Sequence, residues 1–194
     1  MDHYGAGLPR NNRRLLVLTG PNSNVAQPNM RPPVKTLDSL FKHFLRDMYY
    51  AENKILDNLP KMAKEADSKD LRDAFNDHQK ETKGQVANLE TVFKALDLKP
   101  RGVTCEAING IIDEAKEIMK ECGDADARDA GMIAAAQAVE HYEITRYGTM
   151  VAWAKRLGMD NEAALLKANL DQEYAADKKL SMLAESALNK QAVS

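Results

Sequence analysis

The chain has few cysteines, few prolines in its main part and no long hydrophobic run. Its two cysteines, Cys105 and Cys122, lie far apart and form no CxxC pattern, so we expect free thiols in a reducing cytosol. No apolar stretch approaches the roughly 20 residues that a membrane span needs. The sequence also lacks a glycine-rich phosphate loop and a nucleophile elbow. We therefore expect a cytoplasmic protein without membrane contact.

The charge is nearly balanced, and the prolines are concentrated at one end. The net charge is −2, whereas a dedicated nucleic-acid-binding protein shows a strong basic excess. Five of the seven prolines lie in residues 1–34, with much of the asparagine and glycine. The apolar patch Leu15 to Leu18 is too short for a secretory signal. We interpret residues 1–34 as a flexible extension and residues 35–194 as the folded domain. The arginines of the extension leave DNA shielding open as a minor alternative.

From residue 36 onward, apolar residues recur at alternating steps of three and four, which predicts long packed helices. Together with capping residues they predict helices over about 36–66, 68–99, 104–121, 126–158 and 160–189. Pro60 predicts a bend or a break within the first. The order is long, long, short, long, long. This order predicts an all-α, ferritin-like four-helix bundle of two helical hairpins, joined by a crossover that contains the short fifth helix.

Each long helix has a polar interruption in its apolar seam. In chain order the interrupting residues that carry metal-ligand groups are Glu52, His78 with Glu81, Glu140 with Glu143, and Glu173 with Asp177. Residues that are equidistant from a hairpin turn lie at the same height. Glu52 and Glu81 are symmetric about the predicted turn at 66–68, and Glu143 and Glu173 about Gly158. At about 1.5 Å of rise per residue, both hairpins place these side chains near mid-bundle.

Buried carboxylates need compensation, because an unpaired one costs several kcal/mol or takes up a proton. Two divalent cations supply the missing positive charge. Carboxylates with an imidazole form a ligand set for Fe, Mn or Zn, and residues three or four apart project from one helix face. The sequence therefore predicts a dinuclear centre of two divalent ions, most simply Fe or Mn. A proton-sharing, hydrogen-bonded polar layer without metal is the alternative.

Four segments carry a resemblance to a known family: LRDMYYAENKIL, FNDHQKETKGQVANLETVF, AAQAVEHYEITRYGTMVAWAKRLG and LDQEYAADKKLSML. They are similar to the YciE/YciF family of ferritin-like bacterial stress-response proteins, over about residues 36–190. The resemblance implies a di-metal-type bundle, a homodimer and induction under stress, without an established reaction. Ferritins and rubrerythrin carry Glu-x-x-His on the second and fourth helices. Here the second helix has the reverse order, His78-x-x-Glu81, and the fourth has Glu173-x-x-x-Asp177.

Two main functions follow from these observations. The first is a cytoplasmic stress-response protein whose di-iron or di-manganese site reduces peroxide or oxidises iron. Its core ligands would be Glu52, Glu81, Glu143 and Glu173. His78, Glu140 and Asp177 would complete the ligand shell. The second is a metal-free helical bundle that protects by binding a partner. Whether the protein is an enzyme stays open at this stage.

Overall fold

Five main helices make up the structure, a computed structural model that describes residues 35–193. They are α1 (Leu37–Glu65), α2 (Lys69–Ala95), α3 (Glu106–Glu121), α4 (Ala125–Arg156) and α5 (Asp160–Leu183). A π-helical turn, Ala184–Leu188, and the short α6, Asn189–Gln191, continue α5. These residues contain no strand. The extension predicted for residues 1–34 lies outside the part that is described.

The two hairpins, α1–α2 and α4–α5, pack side by side around one core. Helix α2 lies against α5 and α1 against α4, while α3 packs on α4 and α1. The core is built from fully buried apolar side chains at the predicted seam positions, among them Phe41, Leu45, Met48, Leu89 and Met150. The fold is the predicted all-α, ferritin-like four-helix bundle. No helix among the described residues combines the length and apolar character that crossing a bilayer requires.

The helix ends follow local capping chemistry. Thr36 and Ser39 form a reciprocal capping box at the start of α1, and the Ser68 and Asp124 side chains cap α2 and α4. Such caps satisfy backbone N–H groups that have no partner within the helix. Gly158 has φ +75, a conformation that glycine adopts without strain, and it follows the last turn of α4. These positions agree with the sequence expectations.

Three details differ from those expectations. Of the bend or break expected at Pro60, the break does not occur: helix α1 runs through Pro60, and the nearby Leu59 and Met62 are buried in the core. Helix α3 begins after Cys105 rather than after Thr104. The last long helix is not α-helical throughout, because the π-helical turn interrupts it before residue 189.

A buried aspartate fixes the two hairpins relative to each other. Asp129 of α4 is almost fully buried. Its Oδ1 and Oδ2 accept the backbone N–H groups of Asp67 at 3.0 Å and Ser68 at 2.7 Å, in the α1–α2 turn. The Arg72 guanidinium also donates to the carbonyl oxygens of Ala66 and Asp67 in this turn. Because α4 holds the turn, the height of α1 and α2 against α4 is set.

We expect Asp129→Ala to destabilise the protein by about 1.5–3 kcal/mol, the range for hydrogen bonds to a charged group whose partners become buried and unsatisfied. The matched control is Asp113→Ala on α3, where an exposed carboxylate pairs only with Lys116. It should change the free energy of unfolding by less than about 0.5 kcal/mol. Denaturant unfolding followed by circular dichroism measures both. Equal losses in the two variants would contradict the bracing role of Asp129.

Candidate metal centre

Four acidic and imidazole side chains from three helices meet inside the bundle. His78 comes from α2, Glu140 and Glu143 come from α4, and Glu173 comes from α5. One ligand atom from each lies within 4.8 Å of the others. All four residues are at most 8% exposed. They therefore form one group in the dry interior, at the level where the apolar seams are interrupted.

Helix α1 adds a further carboxylate to this group. Glu52 is fully buried, and its Oε1 accepts a hydrogen bond from the Tyr147 hydroxyl. The Glu52 carboxyl group influences the charge of Glu143, and the Glu140 carboxyl group that of Glu173, as neighbours in the same interior. All four long helices thus contribute. We call the set Glu52, His78, Glu140, Glu143 and Glu173 the buried cluster.

A belt of amide and hydroxyl groups holds the buried cluster on one side. Gln85 Nε2 donates to Glu173 Oε1 at 2.6 Å. Asn169 Nδ2 donates to the Tyr147 hydroxyl at 3.0 Å and to the Gln85 carbonyl oxygen at 3.3 Å. The belt fixes one oxygen of Glu173 and, through Tyr147, one oxygen of Glu52. Their second oxygens are left to point elsewhere.

Seven side-chain atoms of the buried cluster have no hydrogen-bond partner among residues 35–193. They are Glu52 Oε2, Glu140 Oε2, both oxygens of Glu143, Glu173 Oε2 and both ring nitrogens of His78. His78 Nε2 lies 3.3 Å from Glu140 Oε1, but the geometry is that of an electrostatic contact and not of a hydrogen bond. Buried polar atoms are almost always paired. Five free carboxylate oxygens around an imidazole are a donor set that can hold divalent metal ions.

Burial dominates the electrostatics of the carboxyl groups. It raises the pKa of Glu52 to about 7, against the opposing effects of the Tyr147 hydrogen bond and of His78. Burial, reinforced by the neighbouring carboxylates, raises the pKa of Glu143 and of Glu173 well above the ordinary value. The pKa of Glu140 is raised for the same first reason. Without bound cations, the carboxyl groups of the cluster therefore stay protonated to a higher pH than ordinary glutamates do.

The imidazole responds to its neighbours in a different way. Burial lowers the pKa of His78, but the carboxylates of Glu140, Glu81 and Glu52 outweigh that effect and raise it overall. Its Nδ1 faces Glu81 Oε2 at 3.5 Å and its Nε2 faces Glu140. One ring nitrogen is thus directed into the buried cluster and the other toward the edge of the bundle.

Two predicted site residues lie outside the buried cluster. The Glu81 side chain is 47% exposed, so the expectation that its carboxylate is buried is wrong. The Asp177 side chain is 24% exposed; its Oδ1 accepts Gln137 Nε2 at 3.0 Å and lies 3.3 Å from His141 Nε2. Glu81 is offset by about 60° around α2 from His78, and Asp177 by about 40° around α5 from Glu173. These offsets carry both side chains past the edge of the interior.

Three contributors were not assigned a role in the site from the sequence. Gln85 is a polar residue of the α2 seam and Tyr147 lies in the α4 seam near the carboxylates, but only their hydrogen bonds reveal their role. Asn169 lies four residues before Glu173, hence on the same helix face. That spacing, next to the apolar Leu166 and Leu170, was a usable signal: a buried amide in an apolar seam needs polar partners.

Comparison with known sequences identifies the family of this chain. Residues 36–193 match the family described as a domain of unknown function, DUF892. YciF of Escherichia coli is 41% identical over 160 residues, which cover 82% of this chain and 96% of YciF. The chain belongs to the YciF family. The resemblance noted in the four sequence segments is thereby confirmed.

Solved structures agree with this membership of the YciF family. The crystal structure of the E. coli stress protein YciF matches with a TM-score of 0.77 at 41% identity, covering 80% of this chain and 99% of that one. YcfI from Rhodopseudomonas palustris matches with a TM-score of 0.75 at 48% identity, covering 76% and 94%. A protein from Xanthomonas campestris, at 19% identity and a TM-score of 0.66, covers 82% and 97% and shares the fold.

We expect this YciF-family protein, when stripped of metal, to melt at a lower temperature at pH 8 than at pH 5.5. A carboxyl group whose pKa is raised on folding stabilises the folded state while protonated, and this contribution is lost as the pH rises through the folded pKa. For Glu52 the loss extends from the ordinary pKa of 4.5 up to about pH 7, and the raised pKa of His78 acts in the same direction. Calorimetry of chelator-treated protein measures the trend.

Added metal should reverse this trend, because ligands bind a cation only when deprotonated. The rise in Tm on adding Mn²⁺ should therefore be larger at pH 8 than at pH 5.5. Glu143→Gln is expected to flatten the pH dependence of the metal-free protein. A Tm that rises with pH in the metal-free wild type would contradict the burial of ionisable carboxyl groups.

Proposed function

We propose that this protein binds two divalent cations, iron or manganese, in the buried cluster, and that it protects the cell under stress by oxidase- or peroxidase-type redox chemistry. Glu52, Glu140, Glu143 and Glu173 would be the carboxylate ligands and His78 the nitrogen ligand. Glu81 and Asp177, which the sequence also suggested as ligands, lie outside the cluster. We propose Glu81 as the partner that orients the His78 ring.

One observation carries the proposal: four carboxylates are buried together with most of their oxygens unpartnered. Their four negative charges equal the positive charge of two divalent ions. Without such compensation the charges must be neutralised by protons or repel one another in a medium of low dielectric constant. No lysine or arginine side chain is paired with these four among the described residues. Cations from solution supply what the chain itself does not.

The ligand chemistry favours iron or manganese. Carboxylates suit hard ions, and an imidazole extends the range to Fe, Mn and Zn. When bound, the ions would polarise a small oxygen-containing substrate and exchange electrons with it. The chain's own groups would do the rest: Gln85 orients Glu173, the Tyr147 hydroxyl holds a proton at the Glu52 carboxylate, and the apolar layers above and below exclude water.

The cellular setting comes from the relatives. YciF of E. coli is described as a stress protein, and we extend that role to this chain. Cys105 and Cys122 are both free thiols, which suits a reducing compartment such as the cytoplasm. We also expect a homodimer, as the family resemblance implies. Sedimentation equilibrium of the full chain tests the dimer, and a monomer at all concentrations would contradict it.

A metal-free bundle that acts by binding a partner is the second candidate. The observation in its favour is that burial raises the pKa of all four carboxyl groups, Glu52, Glu140, Glu143 and Glu173. Raised pKa values favour protons shared among neighbouring carboxyl groups. Such a layer would be self-sufficient and would need no cation.

Glutamine substitutions separate the two candidates. Anaerobic loading of the wild type with Fe²⁺, or loading with Mn²⁺, at 100 times the dissociation constant should stabilise it by about 2.7 kcal/mol, or about 5–10 °C in Tm. Glu143→Gln and Glu173→Gln should lose most of this metal-dependent shift. In the metal-free state the same variants should keep or gain stability, because a repelling charge is removed. Elemental analysis after gel filtration and thermal melts provide the measurements.

The control is Glu65→Gln, which changes an exposed glutamate near the end of α1. It should retain metal and the full rise in Tm. If the wild type keeps neither metal through gel filtration and shows no shift in Tm with either ion, the metal proposal is wrong and the metal-free bundle is favoured.

A further inference from the structure

A cavity leads from the surface of the bundle to the buried cluster. Its volume is about 110 Å³, and helices α2, α4 and α5 supply most of its wall. The inner end is formed by His78 and Glu140, and the outer end by Glu81 and Lys179. The two inner residues are more than nine-tenths buried, whereas the outer two side chains are about half exposed. The cavity thus connects solvent with one side of the cluster.

The inner end of the cavity presents unsatisfied polar atoms. Both ring nitrogens of His78 and the Oε2 of Glu140 have no hydrogen-bond partner. A packing defect in a helical bundle is normally lined by apolar groups and stays empty. Here a hydrogen-bond donor or acceptor of a bound molecule would satisfy atoms that nothing else in the described chain satisfies. These features are those of a binding pocket.

Small side chains limit what the pocket can hold. Ala74, Ala136, Ala175 and Ala176 line it from three helices. A cavity of about 150 Å³ is known to accept benzene, and one water molecule occupies about 30 Å³ in the liquid. A pocket of about 110 Å³ therefore accepts a ligand of a few non-hydrogen atoms and is too small for one that carries an aromatic ring.

The charges at the outer end cancel. Lys179 Nζ lies 3.3 Å from Asp77 Oδ2, and Lys80 Nζ lies 3.0 Å from Asp77 Oδ1. Glu81 adds one negative charge beside these two positive ones and the Asp77 carboxylate. A mouth with balanced charge neither attracts an anion nor concentrates a cation. Together with the alanine walls, this balance favours a neutral ligand.

We propose that this cavity is the access passage and binding pocket for a small neutral dioxygen species, molecular oxygen or hydrogen peroxide, and that Ala136 and Ala176 set its size limit. The reaction of the bound molecule rests on the proposed metal-dependent function, but its binding does not. The ligand reaches the cluster on the side of His78 and Glu140, opposite the belt formed by Gln85 and Asn169.

The first test uses the metal-free full chain and dissolved oxygen, whose paramagnetism speeds the relaxation of nearby nuclei. We expect the methyl groups of Ala74 and Ala136 to relax faster under oxygen than those of Ala63 and Ala66, which are similarly buried but do not line the cavity. Methyl NMR with labelled alanine measures all four. Equal enhancement at the two pairs would overturn the proposal.

Filling the passage provides the second test. Ala176→Leu should abolish the extra relaxation at Ala136, whereas Ala164→Leu, at an exposed position of the same helix, should leave it unchanged. In protein loaded with ferrous iron, one hydrogen peroxide takes one electron from each of two ferrous ions and two protons, its O–O bond breaks, and two waters form. Stopped-flow absorbance follows this oxidation, and its rate should fall about tenfold in Ala176→Leu.

Three further measurements distinguish an error in the proposed passage from an error in the proposed metal-dependent function. Cumene hydroperoxide should react slowly with wild type and variant alike, because its ring does not fit. Repeating the oxidation with oxygen in place of peroxide shows which species uses the passage. Ala176→Leu rates equal to wild type with both oxidants would overturn the proposal. If the wild type binds no iron, the proposed function fails, and the relaxation measurement on the metal-free chain alone decides the passage.

Discussion

The repulsion among four carboxylates in a dry interior is the constraint on which the rest of the structure depends. A bundle of this size gains its stability from apolar burial, and an uncompensated charge at its centre works against that gain. The chain tolerates the cluster because apolar side chains are buried above and below it, because the Gln85 amide donates to one oxygen of Glu173, and because the Tyr147 hydroxyl donates to one oxygen of Glu52. Each of these hydrogen bonds fixes the orientation of one carboxyl group and leaves its second oxygen without a partner among the described residues.

Register is the second requirement, since four helices must bring their polar steps to one height. Side-chain caps at Thr36, Ser68 and Asp124 set where α1, α2 and α4 begin. Asp129 then ties the α1–α2 turn to α4. A slip of one helical turn, about 5.4 Å, would place a carboxylate against leucine and methionine. The hydrogen bonds of Asp129 and the geometry of the cluster are therefore linked, although Asp129 lies at the end of the bundle and the cluster near its middle.

The fold and the membership of the buried cluster were largely predictable, because a carboxylate in an apolar seam is visible in the sequence and hairpin symmetry relates its partners. The direction in which each side chain points around its helix was not predictable. Glu81 and Asp177 stand three and four residues from buried ligands, a difference of about 40–60° around the helix. Whether such a residue faces inward depends on where the neighbouring helix lies. The sequence does not assign Asn169 and Tyr147 to the site, because amides and phenols serve ordinary packing as often as they serve sites.

The position of Glu81 and Asp177 outside the cluster changes the negative charge of the interior site. Six interior carboxylates would exceed the charge of two divalent ions and would need further protons, whereas four are balanced. Glu81 at the edge can hold the outer nitrogen of His78, so that the inner nitrogen stays available to a ligand. Its exposure also leaves a gap lined by alanines instead of a sealed wall. The position of Glu81 outside the cluster therefore goes together with a cavity that reaches His78 and Glu140 from the same side.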